Sequence, residues 1–222
     1  MAGSRKAGKS TMSEFDQSTA GAIVPCWSCK GPISPRALFC ATCGAVQPPG
    51  NTDHFTRLGM RGVFALDPAE LDRQYFGFQK RLHPDRFATR SPKERALSQS
   101  QATALNEAYE TIKDPLKRAA YLLRLAGRSV DIDKAATVAD PELLMEAMEM
   151  REALDEADTL EEISVLAAQA GTEVSLCEEA LGEAFASDDL DTAGKLTTRL
   201  KYLGKLAEEA RSRKIRMMRP GT

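Results

Sequence analysis

From residue 53 onward, apolar residues recur at intervals of three and four positions, the spacing that lines one face of an α-helix. Four predicted helices begin at an Asp-Pro or Ser-Pro pair, because proline fits a first helical turn and the preceding side chain caps it. These pairs are Asp67-Pro68, Ser91-Pro92, Asp114-Pro115 and Asp140-Pro141. Two further helices are predicted, over about 159–187 and after the turn at 187–189. Since alternating apolar and polar runs are missing from the sequence, we predict a mainly α protein.

The last three predicted helices have the pattern of a helical bundle. Their apolar positions keep a 3-4 spacing over long stretches, as a buried seam between helices requires. The first of the three has a buried stripe that includes Ala147 and Leu154. On the same helix Leu144, Met145 and Met148 point away from this stripe, beside a row of glutamates. Flexible methionines exposed among charges indicate an adaptable protein-binding surface.

Composition divides the chain into four parts. Residues 1–22 are polar and of mixed charge, which predicts a disordered tail. Residues 23–50 hold four of the five cysteines and end in Pro48-Pro49-Gly50, which is typical of a linker. Two helical blocks follow, over 51–127 and 128–222.

Charge is distributed unevenly between these parts, although the net charge is only −2. The block 51–127 has 13 basic and 9 acidic residues, whereas the block 128–222 has 12 basic and 21 acidic residues. Nucleic-acid binding needs a basic stripe, so the acidic character of the block 128–222 argues against nucleic-acid binding by that block. No apolar run is long enough to span a bilayer, and the N-terminus lacks the apolar centre of a secretory signal. We therefore expect an intracellular protein with no membrane partner.

The cysteines of the segment 23–50 form two C-x-x-C turns, Cys26 with Cys29 and Cys40 with Cys43. Four thiolates at this spacing can surround one zinc ion and leave no position for substrate, so we predict a structural zinc. A metal also explains how so short a segment holds a fold. A disulfide pair or a redox-active C-x-x-C is a weaker alternative, since neither an oxidising compartment nor a βαβ setting is indicated. Cys177 lies on the helical seam and is expected to be a small core residue.

Residues 3–10, GSRKAGKS, match the phosphate-loop pattern G-x-x-x-x-G-K-S. That pattern binds phosphate only between a buried strand and a helix, and here only two residues precede it. We therefore predict no ATP binding at this stretch.

The stretch RLHPDRF places His83, Pro84 and Asp85 directly after a predicted helix that has basic residues on its solvent side. A longer antiparallel helix follows. The block 53–126 resembles a J-domain in length and order, from HFTRLGM through KRLHPDRF to ALNEAYETIKDPLKRAAYLL. The positions that match the family's signatures are Asn106, Ala108, Tyr109, Leu116, Arg118 and Tyr121. The resemblance implies a helical J-domain over 51–127.

The chain then continues into LLMEAMEMREALDEA and TTRLKYLGKL, which resemble the C-terminal bundle of HscB, the J-type co-chaperone of iron–sulfur cluster assembly. The similarity covers residues 53–212. The four-cysteine segment resembles the N-terminal addition of animal and some bacterial members. The resemblance implies a small zinc-knuckle segment, a J-domain and a C-terminal three-helix bundle over 128–222 that binds a client scaffold.

The resemblance further implies a co-chaperone with two binding faces that is not itself an enzyme. One face docks on a heat-shock-protein-70-class chaperone of the DnaK or HscA type and stimulates its ATPase, and the other binds an iron–sulfur scaffold protein of the IscU type. The implied chaperone-binding residues are His83, Pro84, Asp85, Arg73, Lys80, Arg81 and Arg86. The implied scaffold-binding residues are Leu144, Met145, Met148, Glu149, Glu152, Glu156 and Tyr202, the last as an exposed aromatic. The expected compartment is the bacterial cytoplasm or the mitochondrial matrix.

Other functions stay open from the residues alone. A zinc-ribbon protein could bind nucleic acid and dimerise through its helices, although Lys30 and Arg36 are few cations for a phosphate footprint. A general J-protein adaptor is a second alternative, and the outward Met and Leu side chains could instead pack inside the protein. An enzyme has little support, because the sequence has two histidines, His54 and His83, and no convincing nucleophile–base pair.

Overall fold

The structure is a computed structural model that describes residues 23–128 and 141–218, with the backbone alone at 142–144. The tail 1–22, the phosphate-loop-like stretch within it, Asp140 and the side chain of Leu144 lie outside the described residues.

Two short strands, β1 (Val24–Pro25) and β2 (Pro32–Ile33), pair antiparallel with Val24 opposite Ile33. The α-helices of the described residues are α1 (His54–Leu58), α2 (Pro68–Leu82), α3 (Pro92–Lys113), α4 (Pro115–Leu125), α5 (Pro141–Glu156), α6 (Leu160–Ala186) and α7 (Leu190–Met218). The prediction of a mainly α fold is confirmed, and each helix predicted from the sequence begins within two residues of its expected position. None of the helices in this part of the chain combines the length and apolar character needed to span a membrane.

The chain divides into two compact units. Of the described residues, the first contains 23–61 together with Pro68–Glu110, which are the four-cysteine segment, α1, α2 and most of α3. The second contains Gly62–Asp67 and the described residues after 110, which include α4 to α7. The domain boundaries suggested by the sequence, after residues 50 and 127, stay predictions.

In the first unit, polar and aromatic side chains hold α2 against α3. The rings of Tyr75 and Tyr109 stack with centroids 3.9 Å apart. The Tyr109 hydroxyl donates to Asp72 Oδ1 at 2.7 Å, and the Tyr75 hydroxyl donates to Asn106 Oδ1 at 3.1 Å. Gln79 Nε2 donates to the same Asn106 oxygen at 2.8 Å. Asn106 and Tyr109, which match J-domain signatures, therefore fix the relative position of the two helices.

In the second unit, α6 and α7 form a buried seam, and α4 and α5 pack on α7. The α6 residues that are buried include Ile163, Ala170, Cys177 and Leu181. Burial raises the pKa of the Cys177 thiol to about 11, so this cysteine is the small core residue that the sequence predicts. At the start of α6, Thr159 and Glu162 form a reciprocal capping box, with the N–H of Glu162 donating to the Thr159 hydroxyl at 3.2 Å.

Candidate functional site

The His-Pro-Asp turn between α2 and α3 is exposed to solvent. Helix α2 ends at Leu82 because Pro84 lacks an N–H and forces His83 out of the helical region, to a ψ of 132°. A short 3₁₀ helix, Pro84–Phe87, follows. The side chains of His83 and Asp85 are 55% and 90% exposed, so both can contact another molecule.

Contacts within the first unit fix the geometry of this turn. His83 Nδ1 accepts a hydrogen bond from the backbone N–H of Asp85 at 3.3 Å and lies 3.4 Å from Asp85 Oδ2. On the buried side, the Ser98 hydroxyl donates to the Leu82 carbonyl oxygen at 2.9 Å, and the Phe87 side chain is buried. The backbone of the turn and the His83 imidazole are therefore held in place before any partner binds.

The basic residues predicted to accompany the turn are all exposed, and they are Arg73, Lys80, Arg81 and Arg86. Lys80 and Arg81 lie in the last turn of α2 and Arg86 lies in the 3₁₀ helix, whereas Arg73 is farther along α2. The Arg81 guanidinium lies over the ring of Phe39, 4.5 Å from its centroid. Because the ring is neutral, this cation–π contact does not neutralise the charge of Arg81, but it restricts the orientation of the guanidinium group.

The four cysteine thiols of the N-terminal segment converge on one point, with all sulfurs within 4.8 Å of one another. Cys26 Sγ lies 3.8 Å from Cys43 Sγ, and Cys29 Sγ lies 3.7 Å from Cys40 Sγ. Zn–S bonds of about 2.3 Å in a tetrahedral site place the sulfurs about 3.8 Å apart, whereas disulfide sulfurs are about 2.05 Å apart. The four residues can therefore hold one tetrahedral metal ion, and they do not form disulfides.

Two turns of the same geometry present these thiols. The first cysteine of each turn donates its N–H to the carbonyl oxygen five residues later, at 2.8 Å and 2.9 Å. The residue after the second cysteine has a positive φ, 62° at Lys30 and 73° at Gly44. This left-handed residue turns the chain back, so that backbone N–H groups are available to the sulfurs. The segment is thus a pair of matched knuckles around one site.

Hydrogen bonds favour the thiolate form at the buried sulfurs. Cys26 and Cys40 are buried, whereas Cys29 and Cys43 are exposed. Burial by itself raises the pKa of Cys26, but N–H groups of Cys29 and Ser28 outweigh it and hold the pKa at about 6. Hydrogen bonding, first of all from the Cys43 N–H, lowers the pKa of Cys40. Because the thiolate is the metal-binding form, these donors suit a metal site.

Side-chain contacts attach the four-cysteine segment to the helices of the first unit. The Lys93 ammonium, from α3, lies 4.3 Å from the centroid of the Trp27 ring. Gln101 Nε2, also from α3, donates to the Gln47 carbonyl oxygen at 2.8 Å, and Gln47 Nε2 in turn donates to Cys26 Sγ at 3.3 Å. The sequence does not predict these contacts. The one hint in the sequence is that Trp27, whose ring Lys93 covers, directly follows the metal-ligand candidate Cys26.

Helix α5 presents an outward face with two exposed methionines. Met145 and Met148 are 62% and 63% exposed, whereas Leu154 is buried in a cluster with Ile163. The direction that the sequence predicts for these methionines is confirmed. Their exposure disfavours the alternative that they pack inside the protein. Leu144, whose side chain is not described, stays a predicted member of this face.

Charged side chains surround the methionines and fix the inner side of α5. The three glutamates predicted beside the methionines are exposed, and they are Glu149, Glu152 and Glu156. Arg199 of α7 donates to Glu146 Oε1 at 2.6 Å and lies 3.5 Å from Glu173 Oε2 of α6. Arg213 donates to the carbonyl oxygens of Leu154 and Asp155 in α5 and of Ala157 just after it. Helix α5 is therefore anchored by α7, and its methionine face is left to solvent.

Tyr202 differs from its predicted exposure. Its side chain is partly buried, and the neighbouring Lys201 is buried. The physical reason is that α7 packs against α4, α5 and α6, so that more than one side of this helix is covered. A part for Tyr202 in scaffold binding stays a prediction.

Comparison with known proteins gives the same relatives by sequence and by structure. A family model described as the HSCB C-terminal oligomerisation domain matches residues 139–211. The chain is 35% identical over 185 residues to the Arabidopsis thaliana iron-sulfur cluster co-chaperone protein HscB homolog, covering 83% of this chain and 72% of that protein. It is 32% identical over 203 residues to the Homo sapiens iron-sulfur cluster co-chaperone protein HscB, covering 89% of this chain and 86% of that protein.

Two solved structures extend this similarity to the fold. The crystal structure of human co-chaperone protein HscB matches with a TM-score of 0.80 and 31% identity, covering 86% of this chain and 98% of that one. The chaperone HscB from Vibrio cholerae matches with a TM-score of 0.68 and 32% identity, covering 75% of this chain and 99% of that one. Identity above 30% over most of both chains, together with the matching fold, shows that the chain belongs to the HscB family.

Proposed function

We propose that the protein is a co-chaperone of iron–sulfur cluster assembly that binds the cluster scaffold protein and delivers it to a heat-shock-protein-70-class chaperone. In this role it stimulates the ATPase of the chaperone, of the DnaK or HscA type, and hydrolyses nothing itself. The observation that carries the proposal is the exposed, preorganised His-Pro-Asp turn at the end of a basic helix in a chain of the HscB family. The relatives named as iron-sulfur cluster co-chaperones support the pathway.

On the chaperone side, geometry and charge support docking through the turn. Asp85 and His83 present one carboxylate and one imidazole at fixed positions, since Pro84 and the buried Phe87 hold the backbone. Exposed cations at the end of α2 steer and orient an encounter with an acidic surface. The proposed chaperone-binding residues are Arg73, Lys80, Arg81, His83, Pro84, Asp85 and Arg86.

On the scaffold side, the methionine face of α5 supports binding of an IscU-type protein. Methionine side chains adapt to an apolar partner surface, and the surrounding glutamates suit a rim of basic residues. The proposed scaffold-binding residues are Leu144, Met145, Met148, Glu149, Glu152, Glu156 and Tyr202. The two surfaces belong to different compact units, so each can be altered alone.

The proposed metal of the four-cysteine site is zinc in a structural role. Cys26, Cys29, Cys40 and Cys43 would fill the four positions of a tetrahedral ion and leave none for a substrate. Bound metal would hold the two knuckles together, and the chain's own N–H groups would stabilise the thiolates. We place the protein in the cytoplasm of a bacterium or in the mitochondrial matrix of a eukaryote.

The test of the whole proposal is the steady-state ATPase of the chaperone with this protein, measured with and without the scaffold. We expect stimulation by the protein alone and a greater, synergistic stimulation when the scaffold is present. If the scaffold did not increase the stimulation, the result would support a general J-protein adaptor and contradict an iron–sulfur co-chaperone. An absence of stimulation with either chaperone type would contradict the proposal.

Replacing both methionines, Met145→Ala with Met148→Ala, is expected to weaken scaffold binding by about tenfold or more, because a few central apolar side chains dominate such interfaces. Binding is measured by titration calorimetry. The melting temperature should change little, since both side chains are exposed. The matched control is Val165→Ala with Leu176→Ala, two α6 side chains of similar exposure, 52% and 53%. Equal losses of affinity in the two double variants would rule out α5 as the binding face.

A further inference from the structure

Helix α2 presents an aromatic side chain to solvent. Phe76, near the middle of the helix, is 60% exposed. It is the one exposed aromatic residue in the part of the chain that the structure describes. Burying a phenylalanine ring completely removes about 150–250 Å² of surface from water, so much of that gain is still available to a binding partner. Phe76 belongs neither to the His-Pro-Asp turn nor to the cations proposed above.

The fold of α2 gains little from this ring. The buried residues of the helix are Leu71 and Leu82, and phenylalanine is a weaker helix former than alanine. Scattered apolar side chains are ordinary on a protein surface, so exposure by itself does not define a binding site. Phe76 differs in two respects, which are the packing that holds its ring and the charges beside it.

Aromatic packing restricts the Phe76 ring. Its centroid lies 5.2 Å from that of Tyr75, and the two ring planes are tilted by 59°, toward the favoured edge-to-face arrangement. Tyr75 is itself fixed, because its ring stacks on Tyr109 of α3 at 3.9 Å and its hydroxyl donates to Asn106 Oδ1 at 3.1 Å. The Phe76 ring therefore has a supported position before a partner arrives, which lowers the entropy cost of binding.

Cations border the ring along the helix. Lys80, four residues after Phe76, lies next to it on the helix surface and is exposed. Arg73, three residues before Phe76, is also exposed. On the other flank, Asp72 accepts a hydrogen bond from the Tyr109 hydroxyl at 2.7 Å. A ring with cations beside it fits a partner surface that has an apolar recess bordered by carboxylates.

The position of Phe76 indicates which partner it meets. Helix α2 continues from Phe76 to Leu82 and leads directly into His83. At about 1.5 Å per residue, Phe76 and His83 are about 10 Å apart along the helix axis. A standard interface covers about 800 Å² on each partner, so a chaperone that docks on the turn and on Lys80 also reaches Phe76. The face proposed for the scaffold is on α5, in the other unit.

We propose that Phe76 is the apolar anchor of the chaperone contact, and that its ring enters an apolar recess bordered by carboxylates on the heat-shock-protein-70-class chaperone. This inference rests on the proposed function. The exposed cations speed and orient the encounter, whereas the buried ring slows dissociation. Phe76 thereby discriminates between chaperones that have such a recess and chaperones whose surface is flat and polar at that place.

The first test separates an apolar contact from a charged one. We expect Phe76→Ala to raise the Kd for the chaperone about tenfold or more, to a similar extent at low and high salt. Lys80→Ala should lose affinity mainly at low salt, because screening already weakens its attraction at high salt. A loss in Phe76→Ala that disappears at high salt would overturn the anchor.

Phe76→Lys gives opposite results for an anchor and for a purely electrostatic surface. The change adds a cation beside Lys80, so a surface that binds by charge alone would bind the acidic partner more tightly. For an anchor, loss of the ring outweighs the added charge, and we expect the Kd to rise. Phe76→Leu should keep most of the affinity, because it keeps an apolar side chain. Tighter binding by Phe76→Lys would contradict the proposal.

A control variant separates the ring from exposed apolar surface in general. Ile23→Ala removes a 72% exposed side chain of the same unit outside α2, and we expect it to change the Kd by less than about twofold. The melting temperature of Phe76→Ala should not fall, because alanine favours a helix. Scaffold affinity should also be unchanged. Equal losses of chaperone affinity in Phe76→Ala and Ile23→Ala would overturn the anchor.

ATPase titrations distinguish the anchor from the trigger and from the proposed function itself. Half-maximal stimulation should need about tenfold more Phe76→Ala than wild type, with the same rate at saturation, because the ring acts on binding. A lower saturating rate with no shift in the half-maximal concentration would overturn the anchor. Wild-type behaviour of Phe76→Ala would overturn the anchor alone, whereas failure of the wild type to bind the chaperone would overturn the proposed function as well.

A photoreactive phenylalanine derivative in place of Phe76 identifies the occupant. With chaperone and scaffold both present, the expected adduct joins this position to a chaperone peptide that contains apolar residues next to Asp or Glu. Adducts only with the scaffold, only with a second copy of this chain, or only with a polar chaperone peptide would each contradict the proposal.

Discussion

Asp85→Asn is expected to reduce the chaperone's ATPase from its stimulated rate to its basal rate while the fold stays intact. The side chain is 90% exposed, and its contact is with His83 Nδ1, at 3.4 Å. Asparagine has the same size but no negative charge, so the change removes the carboxylate from an otherwise unchanged turn. The measurement is the steady-state ATPase of the chaperone at saturating co-chaperone, with the melting temperature recorded by circular dichroism.

The control for this change is Glu70→Gln, which neutralises an exposed carboxylate in the first turn of α2. We expect wild-type stimulation from Glu70→Gln and unchanged scaffold affinity from both variants, since the α5 face is in the other unit. If Asp85→Asn still stimulated the ATPase to within about twofold of the wild type, the turn would not be the trigger.

Removal of metal is expected to unfold the four-cysteine segment and to leave the helices folded. Without a cation, thiolates 3.7–3.8 Å apart repel one another, and so short a segment buries too little apolar surface to hold its shape. Trp27 is the single tryptophan of the sequence, and its Nε1 donates to the Val46 carbonyl oxygen at 2.6 Å. Its fluorescence therefore reports on this segment and on its contact with Lys93 of α3.

A chelator titration measures this effect. We expect one zinc per chain to be released, the Trp27 emission to shift to the red and four thiols to become reactive, while the helical signal near 222 nm falls little. Cys26→Ser should reproduce the shift without chelator, whereas Cys177→Ser, in the core of the second unit, should keep the metal. Purified protein with no bound metal, or an unchanged Trp27 spectrum after chelation, would contradict a structural metal.

The helices and the convergence of the four cysteines follow from local sequence signals. Asp114 caps α4 through the Lys117 N–H at 3.0 Å, as an Asp-Pro pair predicts. The outward direction of Met145 and Met148 follows from helical geometry, because the spacing of residues within one helix determines on which side each side chain lies. The spacing of two C-x-x-C turns is enough to bring four sulfurs together. In each case the determining residues lie close together in the sequence.

The features that the sequence does not predict depend on contacts between distant elements. Tyr202 lies off the main stripe of α7, but a helical wheel describes only one helix and does not show how many neighbours it has. Arg81 is expected on a solvent-facing surface, and its stacking on Phe39 depends on where the four-cysteine segment folds back. The hydrogen bond from Gln101 of α3 to the Gln47 carbonyl oxygen of the segment likewise joins distant residues whose meeting no local pattern encodes.

The unequal burial of the four cysteines would make a bound metal ion accessible from one side. Each knuckle contributes one shielded sulfur, at Cys26 or Cys40, and one accessible sulfur, at Cys29 or Cys43. An oxidant, a competing ion or a metal-accepting protein must therefore reach the accessible pair first. Metal exchange would proceed by stepwise displacement of ligands, beginning with the accessible pair. The two shielded thiolates would dissociate from the ion last.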